Sequence, residues 1–347
     1  LLARGIHAVE GGVVGDDSYF EALHIHPDWK PSDLRWWYAA PVGALGYNDN
    51  AVQVRVEPGA VGERARLRVA PETGYVDLEN RTVTVGGRGE ALADMAMVPG
   101  TTRIRVTGLI PGGAGPDVEF VAVRDGAEYA ATTFREVLEQ KGIAIGARGV
   151  RVVRDPAQSP ARGATVLVEH WSDPLDHVIE PILLNSQNWF AETLLKTLGR
   201  EARGEGSWTA GLAVERAFLR DVVGIDTTEF VLRDGSGLSA NNQVTPRALA
   251  RLLAYVQRAP EMGVVRDHLP VAGLLGTLKD RMRDLAGRVH AKTGYIGGVE
   301  SLSGYVTADD GRTLIFSIIA NGGQASSGTM KSGIDDVVRA IAATPAS

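Results

Sequence analysis

The hydrophobic period changes along this chain, and that change limits the fold more than any single motif does. Four early runs alternate apolar with polar residues: Ala51-Val52-Gln53-Val54-Arg55-Val56, Arg66-Leu67-Arg68-Val69, Thr82-Val83-Thr84-Val85 and Thr102-Arg103-Ile104-Arg105-Val106. A period of two places alternate side chains on one face, so each run predicts a strand buried on one side. Gly, Pro and Asp break these runs up to about residue 125, which predicts one or two small β-rich subdomains. The period then lengthens. A helix is expected over Tyr129 to Gln140, with Phe134, Val137 and Leu138 as its apolar stripe and Gly142 as its stop. A short strand at Val150 to Val153 precedes the turn-rich stretch Asp155-Pro156-Ala157-Gln158-Ser159-Pro160-Ala161-Arg162-Gly163. That stretch is the expected boundary, dividing the chain into residues 1–160 and 161–347.

Helices dominate the second part. Pro174 to Leu184 reads as a helix with Pro in its first turn, and Trp189 to Leu198 as another ended by Gly199. Thr245-Pro246 pairs a hydroxyl cap with Pro at the start of a helix carrying Leu249, Leu252, Leu253 and Val256. Strands are predicted at Arg288 to Lys292, Ser301 to Thr307 and Thr313 to Ala320, the last two joined as a hairpin across Asp309-Asp310-Gly311. A helix cluster followed by antiparallel strands defines an α+β domain.

Bulk properties narrow the function classes. A chain of 347 residues exceeds what one core usually supports. Its formal net charge of −6 offers no basic footprint for nucleic acid. No apolar run approaches the roughly 18–20 residues of a spanning helix, so no transmembrane segment is expected. With no Cys, disulfides, thiolate catalysis and cysteine-ligated metals are excluded. The start, Leu1-Leu2-Ala3-Arg4-Gly5-Ile6, has neither an initiator Met nor a signal-peptide pattern and reads as the interior of a longer chain with an upstream piece.

Three features carry chemistry: Ser186-Gln187-Asn188 in a loop opening a helix, the polar turn Asp234-Gly235-Ser236-Gly237-Leu238-Ser239, and Lys292-Thr293-Gly294 closing a strand. Acyl transfer needs a nucleophile, a base, a proton route to the leaving amine and a cation for a substrate carboxylate. Ser and Asn two apart in a loop can face one cleft, the Ser relaying a proton while the Asn amide fixes a peptide bond. A Lys on an edge strand attracts a carboxylate, and Thr-Gly after it lets substrate lie along the strand. The backbone N–H just past the Gly can serve as an oxyanion donor. Each signal alone is weak, and Ser-x-Asn recurs at Ser239-Ala240-Asn241.

Taken in order, the motifs resemble those of serine penicillin-recognising enzymes, whose marks are S-x-x-K, S-D-N and K-T-G. The chain is similar to the three-domain D-alanyl-D-alanine carboxypeptidase/endopeptidase family of low-molecular-mass penicillin-binding proteins. The likeness runs through Ala40-Pro41-Val42-Gly43-Ala44-Leu45 with Asn48-Asp49-Asn50, then Asn185-Ser186-Gln187-Asn188-Trp189-Phe190-Ala191-Glu192. It continues through the 234–239 turn and Ala291-Lys292-Thr293-Gly294 to Leu302-Ser303-Gly304-Tyr305-Val306. In this family Ser-x-Asn precedes an Ala-Glu helix, which selects Ser186 over Ser239. The resemblance implies a penicillin-binding/β-lactamase-like fold, an antiparallel sheet with helices, with residues 1–160 as inserted β-rich subdomains.

It also implies a serine-type hydrolase that cleaves D-Ala-D-Ala ends of peptidoglycan stem peptides through an acyl-enzyme and is inhibited by β-lactams. Ser186 and Lys292 would be catalytic; Asn188, Thr293, Gly294 and Tyr295 would bind substrate. No metal or other cofactor is implied, and the location would be extracytoplasmic, in periplasm or cell envelope. Two alternatives stay open: an inactive peptidoglycan-binding scaffold of the same fold, and an esterase or β-lactamase.

The chain departs from the family pattern in four places. No Ser has a Lys three positions on, so the expected nucleophile and its partner Lys are absent from these residues. Gln187 replaces the usual Asp, and Tyr295 stands where Thr or Ser is common, which removes an expected hydroxyl contact to a substrate carboxylate. Leu275 replaces a frequent Asp before Gly276-Thr277-Leu278, a change with no account from sequence. Other features read as structural: His24-Ile25-His26 as a surface strand, Gly11-Gly12-Val13-Val14-Gly15 as a turn, Trp36-Trp37-Tyr38 as packing and Asp309-Asp310 as a hairpin tip. Asp234 and Ser236 are read equally as a structural turn or as a brace for the cleft wall.

Overall fold

The computed structural model describes residues 1–345. The chain divides into two compact units, Leu1–His170 and Trp171–Ser347, so the division falls beyond the turn-rich stretch, which holds a 3-10 turn at Pro156–Gln158.

The first unit opens with β1 (Ala8–Val9) and β2 (Val13–Asp16). Six strands follow: β3 (Ala51–Glu57), β4 (Arg66–Ala70), β5 (Asp77–Val85), β6 (Asp94–Met97), β7 (Arg103–Pro111) and β8 (Asp117–Ala122). They form two three-stranded sheets, β4-β3-β8 and β5-β7-β6. The alternation read from sequence is what closes their core. Val52, Val54 and Val56 of β3 meet Met95, Ile104, Val106 and Ile110 from the second sheet, all fully buried. Helix α1 (Gly126–Gln140) starts at an Asp125 cap that accepts the Glu128 N–H at 3.0 Å. Strands β9 (Ala144–Ile145) and β10 (Val150–Val153) then pair in parallel with β1 and β2.

Helix α1 corrects the expected stripe. Phe134 is 53% exposed and Val137 is also exposed, while Leu138 is buried as expected, together with Tyr129, Ala127 and Ala131. The small face wins because the helix lies close to β2: a Cβ on Gly15 would sit 3.2 Å from the Ala131 Cβ. His24-Ile25-His26 is a loop rather than a strand, and its His24 reaches the buried Asp17 carboxylate at 3.0 Å. Trp36 bridges to Val121 of β8 and Arg35 stacks over its ring at 4.6 Å, consistent with packing.

The second unit runs α2 (Leu175–Leu184), α3 (Asn188–Arg203), α4 (Trp208–Asp221), β11 (Phe230–Val231), β12 (Gln243–Val244), α5 (Pro246–Arg258) and α6 (Gly263–Asp267). It ends with β13 (Val289–Ile296), β14 (Val299–Thr307), β15 (Thr313–Asn321) and α7 (Ser327–Ala342). The last three strands form an antiparallel sheet in the order β13-β14-β15, with Lys292 opposite Ser303 and Gly294 opposite Ser301. Leu302, Val306 and Phe316 face Ile334 and Val338 of α7 in the main core. On the opposite face Tyr305 donates its hydroxyl to the Leu253 carbonyl of α5 at 2.8 Å. Thr245 caps α5 as expected, accepting from the Ala248 N–H at 3.0 Å.

Gly199 does not end α3. The helix continues to Arg203 and stops at Gly204, which takes the left-handed conformation at φ 77°. Gly199 is instead where α4 presses in: a Cβ there would lie 2.6 Å from the Gly211 amide nitrogen. Packing around the sheet is equally tight, and Leu302, fully buried in its centre, has no room to be lost cheaply. Leu302→Ala is expected to cost about 3 kcal/mol, read as a lower urea midpoint with unchanged slope.

Candidate active site

Helices α2 and α3 are separated by only three residues, and the chain turns there by placing Ser186 at φ 58°. A non-glycine residue in the left-handed region carries local strain, held here by its neighbours. The N–H groups of Asn185 and Gln187 both reach the Pro181 carbonyl, at 3.2 and 3.1 Å. The Gln187 side chain caps α3 by accepting from the Trp189 N–H at 3.2 Å, so this position does local structural work without an Asp. Asn188 follows as the first residue of the helix.

Lys292 lies midway along β13, and its Nζ donates to Ser186 Oγ at 2.7 Å and to the Thr293 carbonyl at 2.9 Å. The fold thus joins two motifs separated by 106 positions. Among the described residues no carboxylate forms an ion pair with this ammonium, and burial lowers its pKa to about 8. A cleft of about 730 Å³ opens here, lined by Ser186, Asn188, Ser236, Lys292, Thr293 and Tyr295 among others. All six residues expected from sequence line it, Gly294 included.

The edge position of β13 decides what its backbone can offer. Near its start the outward N–H of Ala291 bonds to the Pro270 carbonyl at 3.0 Å. Outward N–H groups recur every second residue on such a strand, so those of Thr293 and Tyr295 point to the same open side. A Cβ on Gly294 would crowd Ser301 Oγ of β14, so a side chain there would force that hydroxyl to move. Tyr295 is 67% exposed, with Lys331 Nζ 5.5 Å from its ring.

The opposite wall is the 234–239 turn, which two buried carboxylates hold. Asp234 accepts from the Gly237 and Ser239 N–H groups at 3.0 and 2.6 Å, and from the Asn242 amide at 2.7 Å. Glu192 of α3 is fully buried and accepts from the Trp208 indole at 2.7 Å, the Gly235 N–H at 3.0 Å and the Ser236 N–H at 2.7 Å. Burial pushes the Glu192 carboxyl up and Asp234 adds to it, while these donors pull it back. Lys196, also fully buried, sits with Nζ 3.6 Å from the Trp208 ring centre. Sequence reasoning quoted Glu192 without a role; the signal available was an acid four positions after Asn188 on the same helix face. It likewise quoted Thr277, within Gly276-Thr277-Leu278, without a role; its hydroxyl lies 2.8 Å from that of Thr293.

Ser239 is buried and its hydroxyl accepts from the Asn241 N–H at 3.2 Å within its own turn, while Ser186 meets the lysine. Among the described residues no group of three or more His, Asp or Glu side chains is placed to hold a metal ion.

A sheet flanked by helices, with this lysine and serine at its edge, is the arrangement of a penicillin-binding, β-lactamase-like domain. The crystal structure of penicillin binding protein 4 (dacB) from Haemophilus influenzae matches 99% of this chain and 77% of its own, with a TM-score of 0.82 at 21% identity. A second structure of that protein, complexed with a novel β-lactam, matches 99% of this chain and 76% of its own at TM-score 0.75 and 22% identity. The sequence model of the D-Ala-D-Ala carboxypeptidase 3 (S13) family matches residues 1–343, and the chain belongs to that family. It is 38% identical over 338 residues to the D-alanyl-D-alanine carboxypeptidase of Actinomadura sp. (strain R39), covering 93% of this chain and 61% of that protein. It therefore spans about three-fifths of that relative's length. The family and fold read from the motifs agree with these matches.

Proposed function

We propose that this chain forms the proton-relay and carboxylate-binding side of a serine peptidase that cleaves D-Ala-D-Ala ends of peptidoglycan stem peptides and is acylated by β-lactams. The single observation that carries the reading is the 2.7 Å contact between Lys292 Nζ and Ser186 Oγ at the head of an open cleft. Family membership and the names of the relatives support the substrate class.

No Ser in these 347 residues has a Lys three positions on, so this scheme takes its attacking serine, with a partner lysine as base, from residues other than these. Attack on the penultimate D-Ala carbonyl forms a tetrahedral oxyanion, for which the Tyr295 N–H supplies one donor. The proton taken from the nucleophile reaches the leaving D-Ala amine through Ser186 Oγ. The Lys292 ammonium stabilises negative charge developing on that oxygen during the relay. Asn188 holds the acyl amide, Thr293 contacts the terminal carboxylate, and Gly294 lets the peptide lie against β13. Water then releases the shortened peptide by the reverse proton route. Unit Leu1–His170 is read as the inserted β-rich part of such an enzyme, supported by its self-contained core. Stem peptides lie outside the cytoplasm, so the envelope is the proposed location; no helix among the described residues is long and apolar enough to cross a membrane.

Fluorescent penicillin applied to the whole native protein is expected to give a covalent label that an unlabelled β-lactam blocks. Folded protein that takes no label would sink the proposal.

A further inference from the structure

Thr277 belongs to a short 3-10 turn, Gly276–Leu278, that precedes Thr293 by 16 positions. The turn is fixed at both ends. Gly276 takes φ 61° and packs so closely that a Cβ would stand 2.7 Å from the Leu184 carbonyl oxygen. Leu278 is fully buried in the core under β13. Between these anchors the Thr277 side chain is exposed, and its hydroxyl lies 2.8 Å from that of Thr293. Thr293 itself lines the cleft.

Two hydroxyls at this distance share one hydrogen bond, and each has one proton and two lone pairs. Whichever donates leaves the other's proton free to point elsewhere. A carboxylate can only accept, so its arrival in the cleft selects one order: Thr277 donates to Thr293 Oγ1, and Thr293 donates to the carboxylate. Hydroxyls in series polarise one another, and the last donor is strengthened. Tyr295 meanwhile stands where the family resemblance leads one to expect a second hydroxyl.

We propose that Thr277 is a positioning residue that sets the Thr293 hydroxyl as a fixed donor to the substrate's terminal carboxylate. The proposal rests on the reading of the cleft given above. Thr277 touches no reacting atom in this scheme; it acts through Thr293.

The test compares acylation of the whole native protein by benzylpenicillin, which carries a carboxylate, with acylation by an N-acyl-D-alanyl thioester whose leaving group carries none. Thr277→Val is expected to slow benzylpenicillin acylation about fivefold to tenfold while leaving the thioester rate unchanged. Thr277→Ser restores the rate. Thr293→Val and the double variant lose the same amount as each other, because the second hydroxyl has nothing left to orient. Equal losses with both substrates would show a merely structural turn and overturn the assignment, as would an unchanged benzylpenicillin rate. A wild-type protein acylated by neither compound overturns the reading of the cleft and the role of Thr277 with it. Thioester acylation that proceeds normally in Thr277→Val keeps the two failures apart.

Discussion

Lys292→Met is expected to give a protein that is harder to unfold near neutral pH and hardly acylated at all. The two effects share one cause, the burial of an ammonium without a carboxylate beside it. Its pKa falls from the ordinary 10.5 to about 8. At pH 7 lysine is protonated in both folded and unfolded chains, so the folded state bears the full cost of holding the charge. That cost is about 3 kcal/mol from the shift alone. Loss of the ammonium's bonds to Ser186 and the Thr293 carbonyl offsets part of it, leaving an expected gain of about 1–2 kcal/mol for the methionine variant. Between about pH 8 and 10.5 the unfolded chain keeps a proton that the folded one has shed, so wild-type stability rises with pH and the difference closes. Urea midpoints at pH 7 and above pH 10.5 check this, the variant being ahead only at the lower value.

The kinetic half runs in the opposite direction. If the ammonium stabilises charge on Ser186 Oγ, removing it is expected to slow β-lactam acylation by about 10²–10⁴-fold. Wild-type acylation should itself fall as pH rises through about 8, tenfold per unit once the ammonium is the minor form. A flat profile from pH 7 to 10 would mean that the proton on Lys292 plays no part. On this scheme the proposed activity would come at the expense of stability, as is common where a site needs an unpaired charge.

How much of this was legible in sequence depended on how far apart the partners lie. Strands β3, β4, β5 and β7 could be read because their period of two is local. The pairing of Ser186 with Lys292 came from the order of motifs along the chain, since neither tripeptide carries its own signal. Local rules failed where a helix met something distant. The large residues of α1 suggested a core-facing stripe at Phe134 and Val137, yet the close approach of Gly15 favoured the face bearing Ala127 and Ala131. Gly199 has the composition of a helix stop and serves as a crossing point, a use visible only once Gly211 is opposite. Buried Glu192 and Lys196 contradict the usual exposure of charge, because their partners Trp208, Gly235 and Ser236 come from other elements. Thr277 was noted in sequence only as part of Gly276-Thr277-Leu278, because its partner Thr293 belongs to another element.

Glu192→Ala is the substitution expected to cost most stability in the second unit. Three donors converge on the carboxylate, and alanine leaves the Trp208 indole and the Gly235 and Ser236 N–H groups facing an apolar cavity. Orphaning buried donors and removing one charge of a buried cluster together cost about 3–5 kcal/mol. That is a large share of the 5–15 kcal/mol typical of a whole domain, so the variant should melt well below the wild type. A loss under about 1 kcal/mol would mean that the turn holds its shape through Asp234 alone. A second readout separates electrostatics from collapse. Glu215 on α4 is pushed up to about 7, first by burial and then by repulsion from Glu192 and Asp234, with Arg216 opposing. Removing the Glu192 charge is expected to bring the Glu215 pKa down, and Glu192→Gln should do so with a smaller stability loss than alanine. Both variants loosen Gly235 and Ser236 at the cleft wall, so acylation should slow in the order of their stability losses. The same buried carboxylate would then hold the wall of the cleft opposite β13, just as Thr277 is proposed to set the donor on the strand itself.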